Sequence, residues 1–223
     1  MVSNLLRSAV ALGFVAIAGA ASAATLITSD AGYTGPGLHI GSVGDPAFLF
    51  TGGPTVLPGG VTFTSTTSAS VIGSGSYGIA GNGSSTGPII GLNSSRATMT
   101  LTFDSALASF GLGMNYAPSF YGSPVIAAYD AGGGLIASYD LAALAPISTP
   151  GGINAFAFRG IDGGGAQIKS FTMSGAYIIA SASREDPVIG GVVPEASTWA
   201  MLIVGFGFVG ASMRNRRANR HIA

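Results

Sequence analysis

Cysteine is absent from the 223 residues. That removes disulfide scaffolds, thiolate metal sites and cysteine nucleophiles. Charge is scarce: nine basic and nine acidic side chains make 8% of the chain, against about 25% in an ordinary soluble domain. The formal net charge is zero, which gives no reason to expect nucleic-acid binding. Scarce charge and a high apolar content of 48% also exclude a polyelectrolyte disordered chain. Histidine occurs only at His39 and His221, and tryptophan only at Trp199, which leaves little material for general-base chemistry. Glycine, at 36 residues, runs at about twice its usual ~7%.

The two ends differ from the middle. Residues 1–23 have the form of a secretory signal. Arg7 is the only charge, Ala9 to Ala21 is apolar, and Ala21-Ser22-Ala23 supplies the small-x-small cleavage pattern. Cleavage by signal peptidase after Ala23 leaves a mature chain from Ala24. At the other end, Trp199 to Met213 carries no charge and is followed by Arg214, Arg216, Arg217 and Arg220. A helix of that length reaches about 22 Å, short of the ~30 Å hydrocarbon core. Snorkelling arginines and local thinning make up such a difference. Trp199 suits the outer interface and the arginine cluster the cytoplasmic side. Both ends therefore predict one topology, with the domain outside and the tail in the cytoplasm.

Val193-Pro194-Glu195-Ala196-Ser197-Thr198-Trp199-Ala200-Met201, then Gly205-Phe206-Gly207, then the arginines, occur in that order at the extreme C-terminus. This segment resembles the PEP-CTERM sorting signal. The third motif position is Ala196 where the family has proline. The resemblance implies export in a Gram-negative bacterium that makes exopolysaccharide. It also implies processing near Pro194 and Glu195 by an exosortase-like membrane protease. The same segment lends its name to some ice-binding proteins. Independently of the family, Pro194 holds the residue before it extended, as a protease cleft requires. The expected organisation is 1–23 signal peptide, 24–185 secreted domain, 186–193 linker and 194–223 sorting segment. Within the last, the motif is 194–199, the transmembrane helix 199–213 and the basic tail 214–223.

Between the ends the chain is mildly acidic and its pattern is β. Thr98 to Phe103 alternates, with Met99, Leu101 and Phe103 on one face. Val61 to Thr64 does the same, and Phe110, Leu112 and Met114 share a face. Pro124 to Asp130, the glycine-rich turn at 131–134 and Leu135 to Asp140 predict a hairpin. Ala155 to Phe158, Ile168 to Met173 and Ala176 to Ala180 add strands. One helical turn is expected at Asp140 to Leu144. The fold class predicted is all-β, an antiparallel sandwich of jelly-roll type. Gly32 to Gly60 and Gly73 to Gly87 read as long surface loops or poorly ordered segments. Phe110-Gly111-Leu112, the Tyr129-Asp130 hairpin and Phe158-Arg159-Gly160-Ile161 loosely resemble modules of exported PEP-CTERM proteins. That likeness implies a fold and no activity.

Several short patterns match chemical motifs in their letters. Gly205 to Gly210 matches GxGxxG but lies inside the apolar run, with no acidic residue about twenty positions on. Gly83-Ser84-Ser85-Thr86-Gly87 matches GxSxG, but Pro88 follows and His39 is the one histidine outside the tail. His39 is expected to be a solvent-facing loop residue. Asp130, Asp140 and Asp162 border turns, where aspartate forms local hydrogen bonds; calcium ligation is the alternative. Asp130 and Asp140 are expected about 17 Å apart, at opposite ends of one strand. Thr98, Thr100 and Thr102 make a threonine face, but one strand is no repeated ladder of the kind ice binding would use. Tyr116, Phe120, Tyr121, Tyr129 and Tyr139 are expected to include surface aromatics able to stack on sugars. The functional expectation is an exported, non-enzymatic surface or matrix protein, associated with exopolysaccharide and with no cofactor. A carbohydrate-binding module, calcium-dependent or not, is the alternative. A secreted hydrolase ranks third.

Overall fold

The computed structural model describes residues 23–45, 47–79, 82–117, 122–147 and 156–185. They belong to a unit that closes at Asp186. The signal segment up to Ser22, the motif at Pro194, Glu195 and Trp199, the apolar run and Arg214, Arg216, Arg217 and Arg220 all lie outside the described residues. Among the described residues, no helix is long and apolar enough to cross a membrane.

Thirteen strands and one helical turn are described. In chain order they are β1 (Thr25–Ile27), β2 (Leu49–Phe50), β3 (Thr55–Leu57), β4 (Val61–Ser65), β5 (Val71–Gly78), β6 (Ser84–Gly91) and β7 (Thr98–Leu107). There follow β8 (Ser109–Asn115), β9 (Val125–Tyr129), β10 (Leu135–Asp140), α1 (Leu141–Leu144), β11 (Ala157–Asp162), β12 (Ile168–Ser174) and β13 (Ile179–Ser181). They form two sheets. One has seven strands in the order β1-β11-β8-β13-β6-β5-β2, the other six in the order β10-β9-β12-β7-β4-β3. Every strand pairing is antiparallel. The fold is all-β and sandwich-like.

The alternating strands supply the core as their pattern requires. Met99, Leu101 and Phe103 on β7, Val61 and Phe63 on β4, and Phe110, Leu112 and Met114 on β8 are all buried. Phe110, from the seven-stranded sheet, lies between two rings of the other sheet. Its centroid is 4.7 Å from Phe103 and 5.1 Å from Phe171, in tilted and edge arrangements that suit the aromatic quadrupole. The β9–β10 hairpin forms as predicted, with Asp140 opposite Val125 and Leu135 opposite Tyr129. Asp140 caps α1, its Oδ1 accepting from the amides of Ala142 and Ala143 at 2.9 and 3.4 Å.

Four expectations are corrected. Gly73 to Gly87 is not a surface loop; apart from residues 80 and 81, which are not described, most of it forms β5 and β6, paired from Val71↔Gly91 to Gly78↔Ser84. The glycines are there because another part of the chain passes close by. A Cβ on Gly73, at φ +153°, would stand 2.8 Å from the Ala47 carbonyl oxygen, and one on Gly75 3.1 Å from the Phe48 ring. Gly32 to Gly60 likewise contains β2 and β3, and Leu38 and Ile40 are core residues. The last strand starts at Ile179, because Ala176 and Tyr177 form a turn with φ of 50° each. Tyr116 is buried rather than at the surface.

Two glycines on β5 differ in what surrounds them. Gly73→Ala meets backbone at a positive φ and is expected to cost about 2 kcal/mol. Gly78→Ala meets nothing within 4 Å and is expected to stay within about 0.5 kcal/mol of the parent. Urea unfolding of the two variants, read by far-UV circular dichroism, checks this; equal losses would show that the close approach is not what requires glycine.

Candidate functional site

A groove of mixed chemistry is built where two strands part. β13 pairs with β8 only at Ile179↔Asn115 and Ala180↔Met114. Beyond Ser181 the chain takes a different neighbour: Ser183 donates its amide to the Leu38 carbonyl and Ile40 donates to the Ser183 carbonyl, both at 2.8 Å. His39 and Ser183 thus form a parallel bridge. The opening left between Gly111–Gly113 and Ser181–Ser183 is a groove of about 480 Å³.

Its floor is glycine, because β8 turns Phe110, Leu112 and Met114 inward and Gly111 and Gly113 outward. A Cβ on Gly111 would stand 2.7 Å from the Phe158 ring, and one on Gly113 2.8 Å from Ser181 Oγ. Phe156 and Phe158 form one wall. Tyr33 leans on Phe158, with centroids 4.8 Å apart and planes at 53°. The Tyr33 hydroxyl accepts the Gly111 amide at 3.0 Å and donates to the Pro36 carbonyl at 3.3 Å. Burial raises the Tyr33 pKa, with the Gly111 bond opposing. Asp30 and His39 stand at the rim. His39 is half-buried rather than free in solvent, and its Nδ1 meets the Glu185 carbonyl. A carbonyl only accepts, so in the neutral ring Nδ1 carries the proton and Nε2 is an acceptor.

Beneath this groove lies a buried polar layer. Arg159 on β11 is 7% exposed. Its Nη1 donates to the carbonyls of Phe158 at 2.7 Å and Thr28 at 3.4 Å; its Nη2 donates to Ala145 at 2.9 Å. Its Nε reaches the Ala145 carbonyl and the Tyr116 hydroxyl. That hydroxyl also donates to the Ala145 carbonyl. Burial raises the Tyr116 pKa, offset in part by the hydrogen bond and charge of Arg159. Alongside, Asn82 Nδ2 donates to Asn115 Oδ1, to the Tyr116 carbonyl and to the Ile147 carbonyl, while Asn115 Nδ2 donates to the Asn82 carbonyl. Among the described residues Arg159 has no carboxylate partner; the one ion pair there joins Arg184 to Asp45 at 3.9 Å.

A second surface of note is the outer face of the six-stranded sheet. The register aligns Thr62, Thr102 and Ser170 in one row and Thr64, Thr100 and Thr172 in the next, with Thr98 beside Ser174. Sheet geometry spaces such rows at about 4.8 Å between strands and about 6.7 Å along them. All eight are half-buried and none is charged. The threonine face predicted on β7 alone is therefore one column of a field three strands wide.

The remaining candidates are dispersed. Asp130 Oδ1 accepts from the amides of Gly132 and Gly134, each at 2.8 Å, and Asp162 Oδ1 accepts from Gly164 at 2.8 Å. Both act as turn formers. Among the described residues, no three of His, Cys, Asp and Glu group at metal-binding distance. The GxSxG residues lie along β6 rather than at a strand-to-helix elbow, and Ser85 Oγ is buried without a hydrogen-bond partner. Tyr139 donates to the Ala24 carbonyl at 2.8 Å, and Tyr129 is half-buried. Burial carries the Tyr77 pKa to about 12, with Tyr177 adding to the rise. Ala23 is exposed; Ala21, Phe120 and Tyr121 lie outside the described residues. Comparisons with protein-family models, curated proteins and solved structures return no match for the chain.

Removing the buried guanidinium tests what it holds. Arg159→Met leaves the Ala145 carbonyl and the Tyr116 hydroxyl short of donors and is expected to cost about 3 kcal/mol. Chemical denaturation of the parent and variant measures it, and a loss below about 1 kcal/mol would mean that the layer contributes little.

Proposed function

We propose that the chain is an exported, non-enzymatic surface or matrix protein of a Gram-negative cell. Its C-terminus is read as a PEP-CTERM-type sorting signal handled by an exosortase-like membrane protease. The architecture proposed is a jelly-roll-like sandwich between a cleaved signal peptide and a C-terminal transmembrane helix, with the basic tail cytoplasmic. The observation that carries this reading is the ordered tail: Pro194-Glu195, then the run from Trp199 to Met213, then four arginines, all after the sandwich unit has closed. Association with exopolysaccharide follows from the family resemblance, and the open groove gives it a place to occur.

In a host that carries an exosortase, the native protein is expected to begin at Ala24 and to lack His221-Ile222-Ala223. Intact mass spectrometry of the purified protein decides it. A mature chain that keeps those three residues would sink the sorting reading.

The aligned Ser/Thr rows support a second reading, adsorption to an ordered hydroxylated surface such as ice. Aligned rows of methyl and hydroxyl groups present a repeating surface, and the missing charge avoids a tightly held hydration shell. The full chain is then expected to slow ice recrystallisation, and Thr100→Asp, at the centre of the field, to abolish the effect. Recrystallisation at the rate of a protein control would reject it.

A further inference from the structure

We infer that the groove between β8 and β13 binds neutral pyranose units of a polysaccharide. This deepens the exopolysaccharide association proposed above by naming the site and the sugar class.

The shape comes first. At about 480 Å³ the groove falls within the ~300–1,000 Å³ of small-molecule sites, and it is open to solvent. Its depth depends on Gly111 and Gly113, since a Cβ at either would run into Phe158 or Ser181. Phe156, Phe158 and Tyr33 are half-buried, so each keeps part of a ring toward the opening. Flat aromatic faces beside a few fixed polar groups are what an amphipathic ring ligand fits. A pyranose is such a ligand, with C–H faces and a rim of hydroxyls.

The polar groups match that rim. Ser181 Oγ makes no hydrogen bond with any described residue, and the Asp30 carboxylate is exposed and equally unengaged. His39 offers Nε2 as an acceptor once Nδ1 is committed to the Glu185 carbonyl. Two acceptors and one hydroxyl suit sugar hydroxyls, which donate as readily as they accept. No cation lines the groove, and its one formal charge is the carboxylate of Asp30. A uronate would meet like charge with no compensating cation, so the sugar class is neutral.

The test uses the full chain on an array of neutral glucans, galactans, mannans and xylans together with alginate. The affinity for any hit is then measured by calorimetry. The expected result is saturable binding of at least one neutral polysaccharide and none of alginate. Asp30→Ala and His39→Ala, both away from the core, are each expected to weaken binding about tenfold while circular dichroism stays unchanged. Phe158→Ala is expected to abolish it. Absence of any neutral hit, preference for alginate, or binding that survives both Asp30→Ala and His39→Ala would overturn the proposal. Glu195→Ala keeps the two readings apart: it is expected to block processing and leave glycan affinity unaltered. A processed protein that binds no neutral glycan defeats the groove alone, and an unprocessed one that binds defeats the sorting signal alone.

Discussion

One end of the sandwich is organised around a charge with no counter-charge among the described residues. Arg159 points inward from β11, where a guanidinium loses its water, and it is stabilised by carbonyl dipoles instead. Charge-assisted bonds of this kind contribute about 1.5–3 kcal/mol each, and several are needed to offset burial of the ion. The carbonyls come from separate places: Thr28 just after β1, Ala145 just after α1, and Phe158 on β11 itself. A guanidinium with five donors in a fixed plane therefore sets where three pieces of chain lie. Tyr116 extends the same layer, and its carbonyl accepts from Asn82 Nδ2. The groove inherits its walls from it. Phe156 and Phe158 lie just before Arg159 in sequence, and Tyr33 follows the segment that Thr28 anchors.

Glycine does the complementary work. A chain with so many glycines invites a reading of looseness, yet the best-placed ones here are sites of contact. Gly73 and Gly75 let Gly44, Ala47 and Phe48 lie against β5, and Gly111 and Gly113 let aromatic rings and Ser181 sit low over β8. In both cases the missing side chain makes room for another part of the same molecule. The outer face of the seven-stranded sheet is thus largely covered by its own loops. Val71, Gly91, Ile179 and Asn115 point away from the core and are still buried. The groove is the gap in that cover.

Strict alternation made β4, β7, β8 and the β9–β10 hairpin legible, because a half-buried strand has to repeat every two residues. The Asp140 cap was legible for the same local reason. Gly73 to Gly87 was not, since the need for glycine there arises from Phe48 and Ala47, some twenty-five residues earlier in the chain. Tyr116 was misplaced because nothing near it in sequence announces Arg159, 43 residues on. The groove residues escaped for the same cause. Tyr33 and His39, Phe158, and Ser181 come from three separated segments and share only a position around β8. A faint signal did exist: Phe110-Gly111-Leu112-Gly113-Met114 alternates large inward residues with glycine outward, and such a strand has to be met by something.

The two outer faces then divide the functional question. On the seven-stranded side, cover, aromatic rings and a lone carboxylate bound a groove of the size of one small unit. On the six-stranded side, Thr62, Thr64, Thr100, Thr102 and Thr172 repeat without boundary, which suits a surface rather than a molecule. Neither face carries the density of charge that would draw it to nucleic acid or to an anionic polymer, in keeping with a chain only 8% charged. A polymer of neutral sugars offers both kinds of contact: single rings for a groove and ordered hydroxyls for a flat field. Binding through the groove alone would fix one sugar per protein. Engagement of the flat face as well would let the same molecule join two strands of a matrix, and the geometric separation of the two faces on opposite sheets is what would make that linkage possible.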